Sequence, residues 1–219
     1  MPVLLHIDSS PRAASVSSRL AVAFVEKWRL KNPKGTVVHH NTSLEKIPYL
    51  DEAAVEAFLT PVEAVSAEQK QVLAYSDKLA DELLAADVIV LGAPMWNLGI
   101  PASLKAWIDL IVREGRTFEF AAKGVRPLVP SGKKVYIFSA RGGAYPAGTP
   151  FHALDMQEPY LRTILNVIGL TQIEFICAEH QSGTAEAAAE GLSLAEKALA
   201  QLGRDIAPQS APLDLNSTA

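Results

Sequence analysis

Residues 9–21, "SSPRAASVSSRLA", place five serines and two arginines between an apolar run and an amphipathic stretch, with no glycine among them. A helix N-terminus presents unpaired N–H groups and about half a positive charge, so hydroxyls of Ser10, Ser15, Ser17 and Ser18 gathered there suit an anion. A dinucleotide pyrophosphate calls for GxGxxG and a triphosphate for GxxxxGK[ST], and neither is present, which points to a single terminal phosphate, as in a mononucleotide. The same serines also read as a helix cap with a solvated loop.

Two other loops carry polar backbone at chemically useful places. "APMWNLGIPASLKAW" offers an extended, proline-bounded segment, Pro94–Leu98, whose backbone groups and Asn97 amide suit the edge of a flat heterocycle; a plain turn with Asn bonding its own backbone is the alternative. "SARGGAY" brings Ala140, Arg141, Gly142 and Gly143 together. Its glycines let backbone approach a ligand, and the N–H groups of Arg141, Gly142 and Gly143 suit an anion-stabilising nest or else a tight turn.

These loops follow segments that read as buried parallel strands: residues 2–8, about 35–41, 87–93, 133–139 and 172–178, each short, apolar and bounded by polar residues. Helical stretches alternate with them. Leu20, Phe24, Val25 and Trp28 follow the serine loop at helical spacing. Val72, Leu73, Leu79, Leu83 and Leu84 form a later face, opened by a capping box of Ser66 and Gln69. Leu104, Trp107, Ile108 and Ile111 follow Pro101; Tyr160–Ile168 ends at Gly169, and 185–202 ends at Gly203. Strict alternation predicts an α/β fold, a doubly wound five-stranded parallel sheet in the flavodoxin-like order 2-1-3-4-5 with helices on both faces. Ligands bind outside the carboxyl ends of such strands where the order reverses, so the three loops should line one site. Two connections exceed a minimal version of this fold, 114–132 and 142–153.

The 219 residues, 49% of them hydrophobic, suffice for one core, expected over 1–204 with a tail at 205–219. A net charge of -4 with scattered cations argues against nucleic acid. No apolar run is long enough to span a bilayer and no cationic leader opens the chain, so a cytoplasmic protein without a membrane partner is expected. The lone Cys177 lies in an apolar run and reads as a buried, inert thiol. None of the five histidines pairs at a metal-ligand spacing, so no metal site is expected, and GxSxG is absent.

Taken together, SSPR with SxS after the first strand, PMWN with IPASLKAWID after the third and ARGG after the fourth resemble the FMN-dependent NADH azoreductases, which are also NADH:quinone oxidoreductases of the flavodoxin-like superfamily. The similarity continues through TFEF and GKKVYI to YLRTILNVIGL. It implies a homodimer with FMN at two interfacial sites, NADH or NADPH as electron donor, and quinone or azo compounds as acceptors. By position it implies that Ser10, Ser15, Val16 and Ser17 hold the ribityl phosphate, Pro94, Met95, Trp96, Asn97 and Leu98 the ring edge, and Ala140–Gly143 the pyrimidine end. Phe120 of one subunit would reach over the other subunit's flavin. Trp96 stands where the family often has tyrosine, Leu98 where it often has phenylalanine, and Ala140 where it can have serine. Tyr145, just past the glycines, is a candidate for touching the acceptor or relaying a proton. Competing readings are a flavodoxin-type electron carrier and an FAD-type quinone or nitroaromatic reductase.

Overall fold

The computed structural model describes residues 1–122 and 124–202. Along the chain run β1 (Val3–Asp8), α1 (Val16–Lys31), β2 (Thr36–Asn41), α2 (Glu52–Leu59), α3 (Ala67–Ala85), β3 (Val88–Gly92) and α4 (Ala102–Ile111). Then follow β4 (Phe118–Ala121), β5 (Gly124–Pro127), β6 (Lys134–Ala140), α5 (Glu158–Val167), β7 (Gln172–Ala178) and α6 (Ala185–Leu202).

Five strands form one parallel sheet in the order β2-β1-β3-β6-β7. This is the expected 2-1-3-4-5 order, with the fourth and fifth strands now β6 and β7. Side chains alternate across each strand, so both faces must be covered. Leu5, Ile7, Ile89, Leu91 and Ile137 pack on Leu79, Leu83, Leu104, Trp107, Leu161 and Leu165 from α3, α4 and α5. On the opposite face Leu4, Val90, Tyr136 and Phe138 meet Phe24 and Trp28 of α1 and Leu199 of α6.

The caps explain where the helices begin. Ser15 opens α1, its Oγ accepting the Ser18 N–H at 3.2 Å. The box at α3 forms as expected, Gln69 N–H donating to Ser66 Oγ and Ser66 N–H to Gln69 Oε1. Gly169 stops α5 at a φ of 100°.

The structure adds a hairpin and a helix to the sequence reading and corrects one helix face. The long connection at 114–132 holds a hairpin, in which β4 and β5 pair antiparallel with Phe120 opposite Val125. Between β2 and α3 lies the additional helix α2, which buries only Ala57 and so lacks an apolar stripe to read. Val72 is exposed while Leu73 is buried, because the α3 face turns with Leu73, Ser76, Leu79, Ala80 and Leu83. The helix stop at Gly203 and the tail at 205–219 lie outside the described residues.

Candidate functional site

Hydrogen bonds stitch the carboxyl ends of neighbouring strands together. Ser9 N–H and Ser9 Oγ–H both donate to Gly92 O, at 2.9 and 2.8 Å, joining the loops after β1 and β3. Met95 N–H donates to Ala140 O at 2.9 Å, joining the loops after β3 and β6. Arg141 N–H donates to Ala178 O at 2.9 Å and carries the connection to β7. The three loops singled out in the sequence therefore share one sheet edge.

In the first loop Ser10, Ser15 and Ser17 are buried, and Ser15 Oγ lies 3.0 Å from Ser17 Oγ. Ser18 is not a free donor: its hydroxyl donates to Asp8 Oδ1 at 2.8 Å and its N–H to Ser15. Asp8 Oδ1 also takes the Ser10 N–H at 3.1 Å, so two donors offset the one carboxylate near the loop. No acidic residue occupies the first turn of α1. Val16 and Ser17, as the first two helical residues, have N–H groups without an intrahelical acceptor. Buried hydroxyls beside two free N–H groups form a donor set that fits one phosphate.

The second loop is strained. Asn97 and Leu98 have φ of 47° and 69°, and Trp96 and Gly99 exchange both backbone hydrogen bonds around them, at 3.0 and 2.9 Å. Two consecutive left-handed residues make a tight reversal that favours Asn-Gly, so leucine there costs about 1–2 kcal/mol. Such strain persists where surrounding structure imposes it, and it gathers at ligand sites. Trp96 remains 47% exposed, and Leu98 is also on the surface.

The third loop corrects the nest reading. The Arg141 N–H is engaged by Ala178 O, and neither Gly142 nor Gly143 adopts a positive φ, so the alternating conformation of a nest does not form. Gly142 serves close approach instead: a Cβ there would stand 2.9 Å from Ser182 Oγ. The N–H groups of the two glycines remain as donors beside Ala140. Tyr145 folds back toward them, its hydroxyl 3.6 Å from where a Gly143 Cβ would sit and its ring 6.0 Å from the Arg141 guanidinium carbon.

Beneath these loops lies a buried polar cluster that sequence reasoning missed. The Arg141 guanidinium pairs with Asp155 Oδ2 at 3.0 Å, and Asp155 Oδ1 accepts the N–H groups of Gln157 and Glu158 at the start of α5. Arg141 Nη2 faces Glu158 Oε2 at 3.6 Å, an ion pair beyond hydrogen-bond length, and has no hydrogen-bond partner. The available signal was an Asp three residues before Glu158 at a helix start, which reads as an exposed cap rather than an internal anchor.

The loops after β3 and β6, the latter up to the start of α5, carry exposed apolar side chains: Trp96, Leu98, Phe151, Leu154 and Met156. Phe120 is 68% exposed on the β4–β5 hairpin, edge-on to Phe118. Cys177 is half-buried rather than buried, and desolvation still pushes its thiol up to about 12, which leaves it protonated at neutral pH. Among the described residues no group of three or more His, Cys, Asp or Glu is placed to hold a metal ion, and no helix is long and apolar enough to cross a membrane.

A profile of the flavodoxin-like fold family matches residues 3–202. An FMN-dependent NADH:quinone oxidoreductase from Nostoc sp. is 45% identical over 202 residues, covering 92% of this chain and 98% of the relative. The chain belongs to the FMN-dependent NADH:quinone oxidoreductase family. A member from Burkholderia pseudomallei is 43% identical over 201 residues, 91% of this chain and 99% of its own length. Among solved structures, an azoreductase from Bacillus anthracis superposes with a TM-score of 0.85 at 27% identity, covering 94% of this chain and all of its own. The stitched sheet edge of this family member is thus the place to look for its chemistry.

Proposed function

We propose that this chain is an FMN-dependent NADH:quinone oxidoreductase that also reduces azo compounds, its activity carried by a single domain over residues 1–204. The observation that carries the reading is the buried, serine-rich loop that caps α1, tied through Ser9 to Gly92 at the root of the loop holding the strained Trp96–Gly99 turn, which is itself tied through Met95 to Ala140 just before Gly142 and Gly143. When bound, FMN supplies what no side chain here offers, a group that takes up a hydride from a nicotinamide and passes two electrons to an organic acceptor, the two substrates using one site in turn.

The chain's own residues bind and orient. Ser10, Ser15, Ser17 and the first N–H groups of α1 hold the phosphate, while Pro94–Leu98 line the ring edge. The N–H groups of Gly142 and Gly143, with Ala140 beside them, face the pyrimidine end and oppose negative charge developing there. Tyr145 touches the acceptor or moves a proton to it. The exposed apolar side chains of the loops after β3 and β6 and of the β4–β5 hairpin support a homodimer in which Phe120 of one subunit covers the site of the other. The reading places the enzyme in the cytoplasm, where nicotinamide donors are made and reoxidised.

The test is an anaerobic titration of the FMN-loaded protein with NADH, followed by a pulse of a simple quinone. Direct loss of the visible flavin absorbance, fully restored by quinone, is the expected result. Bound flavin that neither NADH nor NADPH bleaches would make the chain a carrier served by another reductase.

A further inference from the structure

The Gln157 side chain has no place in the site as the sequence describes it, yet it is completely buried and joins two of the site's loops. Its Nε2 donates to Ala93 O at 2.9 Å, at the root of the loop after β3. Its Oε1 accepts Ser139 Oγ–H at 2.6 Å and Arg141 Nε–H at 3.3 Å, at the root of the loop after β6. We propose that Gln157 is a positioning residue for the flavin site, one amide that fixes the Pro94–Leu98 and Ala140–Gly143 segments at a single spacing so that both meet the cofactor together. The proposal rests on the FMN reading above.

An amide suits the task because it is both donor and acceptor, and the two loops need one of each. The Ala93 carbonyl would otherwise be a buried acceptor without a partner, and Ser139, itself fully buried, a donor without one. Gln157 is held in turn: its N–H donates to Asp155 Oδ1, and Asp155 Oδ2 faces the same Arg141 guanidinium. The side chain therefore closes a circuit that runs Ala93, Gln157, Arg141, Asp155 and back to Gln157. Directly above it, Ala93 leads to Pro94 and Met95, and Met95 N–H donates to Ala140 O. A shift at Ala93 O is thus transmitted to both ligand-facing segments within two residues.

Gln157→Leu removes donor and acceptor together. Gln157→Glu keeps the acceptor toward Ser139 and Arg141 but turns a second oxygen on Ala93 O. Ser76→Ala serves as the control, since Ser76 is buried, donates to Leu110 O, accepts from Arg113 and makes no hydrogen bond to the loops of this edge. For each apo protein one would measure FMN affinity by quenching of flavin fluorescence, the midpoint potential of the bound flavin and the thermal midpoint. Both Gln157 variants are expected to bind FMN about tenfold or more weakly and to shift the potential, while Ser76→Ala lowers only the thermal midpoint. Wild-type affinity and potential in the Gln157 variants, with stability alone reduced, would overturn the positioning role and leave the FMN reading intact. A wild-type protein that takes up no FMN would overturn both. Should Gln157→Leu not fold, Gln157→Glu carries the test.

Discussion

Ser15 Oγ and Ser17 Oγ stand 3.0 Å apart at the start of α1, but only Ser15 also caps the helix by accepting the Ser18 N–H. Two neighbouring hydroxyls thus differ in their duties to the fold. Ser15→Ala should lower stability by about 1 kcal/mol and weaken FMN binding as well. Ser17→Ala should leave the thermal midpoint nearly unchanged and still weaken FMN binding several-fold. Thermal melts beside fluorescence titrations separate the two, and equal FMN affinity in Ser17→Ala and wild type would remove that hydroxyl from the phosphate grip.

Tyr145 lies over the Arg141 guanidinium with its hydroxyl turned toward the glycine loop. Removing the hydroxyl preserves the ring and its packing. Tyr145→Phe should therefore retain FMN and NADH oxidation by the bound flavin while slowing transfer to quinone or dye in stopped-flow. Unchanged rates in that second half-reaction would exclude it from the chemistry.

The inner strands β1, β3 and β6 were legible because they are covered on both faces, which forces continuous apolar runs such as Val88-Ile89-Val90-Leu91, whereas the edge strands β2 and β7 keep exposed residues and show the pattern less fully. The β4–β5 hairpin was not legible, since its strands have four residues each and are largely exposed, so no burial pattern marks them. Of the candidate site, the shared sheet edge of the serine, PMWN and ARGG loops was legible because each follows an apolar strand in the predicted order. The Arg141–Asp155–Gln157 cluster was not: in "LDMQEPYL" the polar residues look like an ordinary helix start. Only the fold shows that β3 and β6 end over them.

Leu98 has a φ of 69° in a turn where glycine would be at ease. Leu98→Gly removes the steric cost of the left-handed conformation but adds freedom to the unfolded chain, and the two effects oppose each other. Relief of strain exceeds the entropic cost, but lost burial offsets the difference, so stability should change by less than about 1 kcal/mol. The side chain is only 36% exposed, so truncation also gives up apolar burial of comparable worth. If the leucine is kept for the site, the same variant will melt at nearly the wild-type temperature yet show altered quinone preference, measured as the ratio of kcat/KM for a small and a bulky quinone. A lower melting temperature would mean that Leu98 packs for stability.

His6 and His40 lie on neighbouring strands and respond to acid in opposite senses. His6 is buried with Nε2 unpartnered, its ring 4.7 Å from that of His39. Burial first, then the charges of His39 and Arg29, bring its pKa down from 6.5 to about 4. His40 instead lies between Glu45 and Glu82, each 2.7 Å away, and those partners outweigh its burial and raise its pKa. Between pH 6.5 and 4 the unfolded chain takes up a proton at His6 that the folded protein refuses. That contribution to stability is complete above pH 6.5 and declines on acidification by about 1.4 kcal/mol per pH unit within the window. His40 acts the other way: its contribution is complete below pH 6.5 and fades as the pH climbs through its raised value. Urea unfolding of wild type, His6→Phe and His40→Gln between pH 4.5 and 8 separates them. His6→Phe should lose less stability than wild type on going from pH 7 to 4.5, and His40→Gln should lose more. Parallel curves for wild type and His6→Phe would show that His6 is protonated in the folded protein as readily as in the unfolded chain.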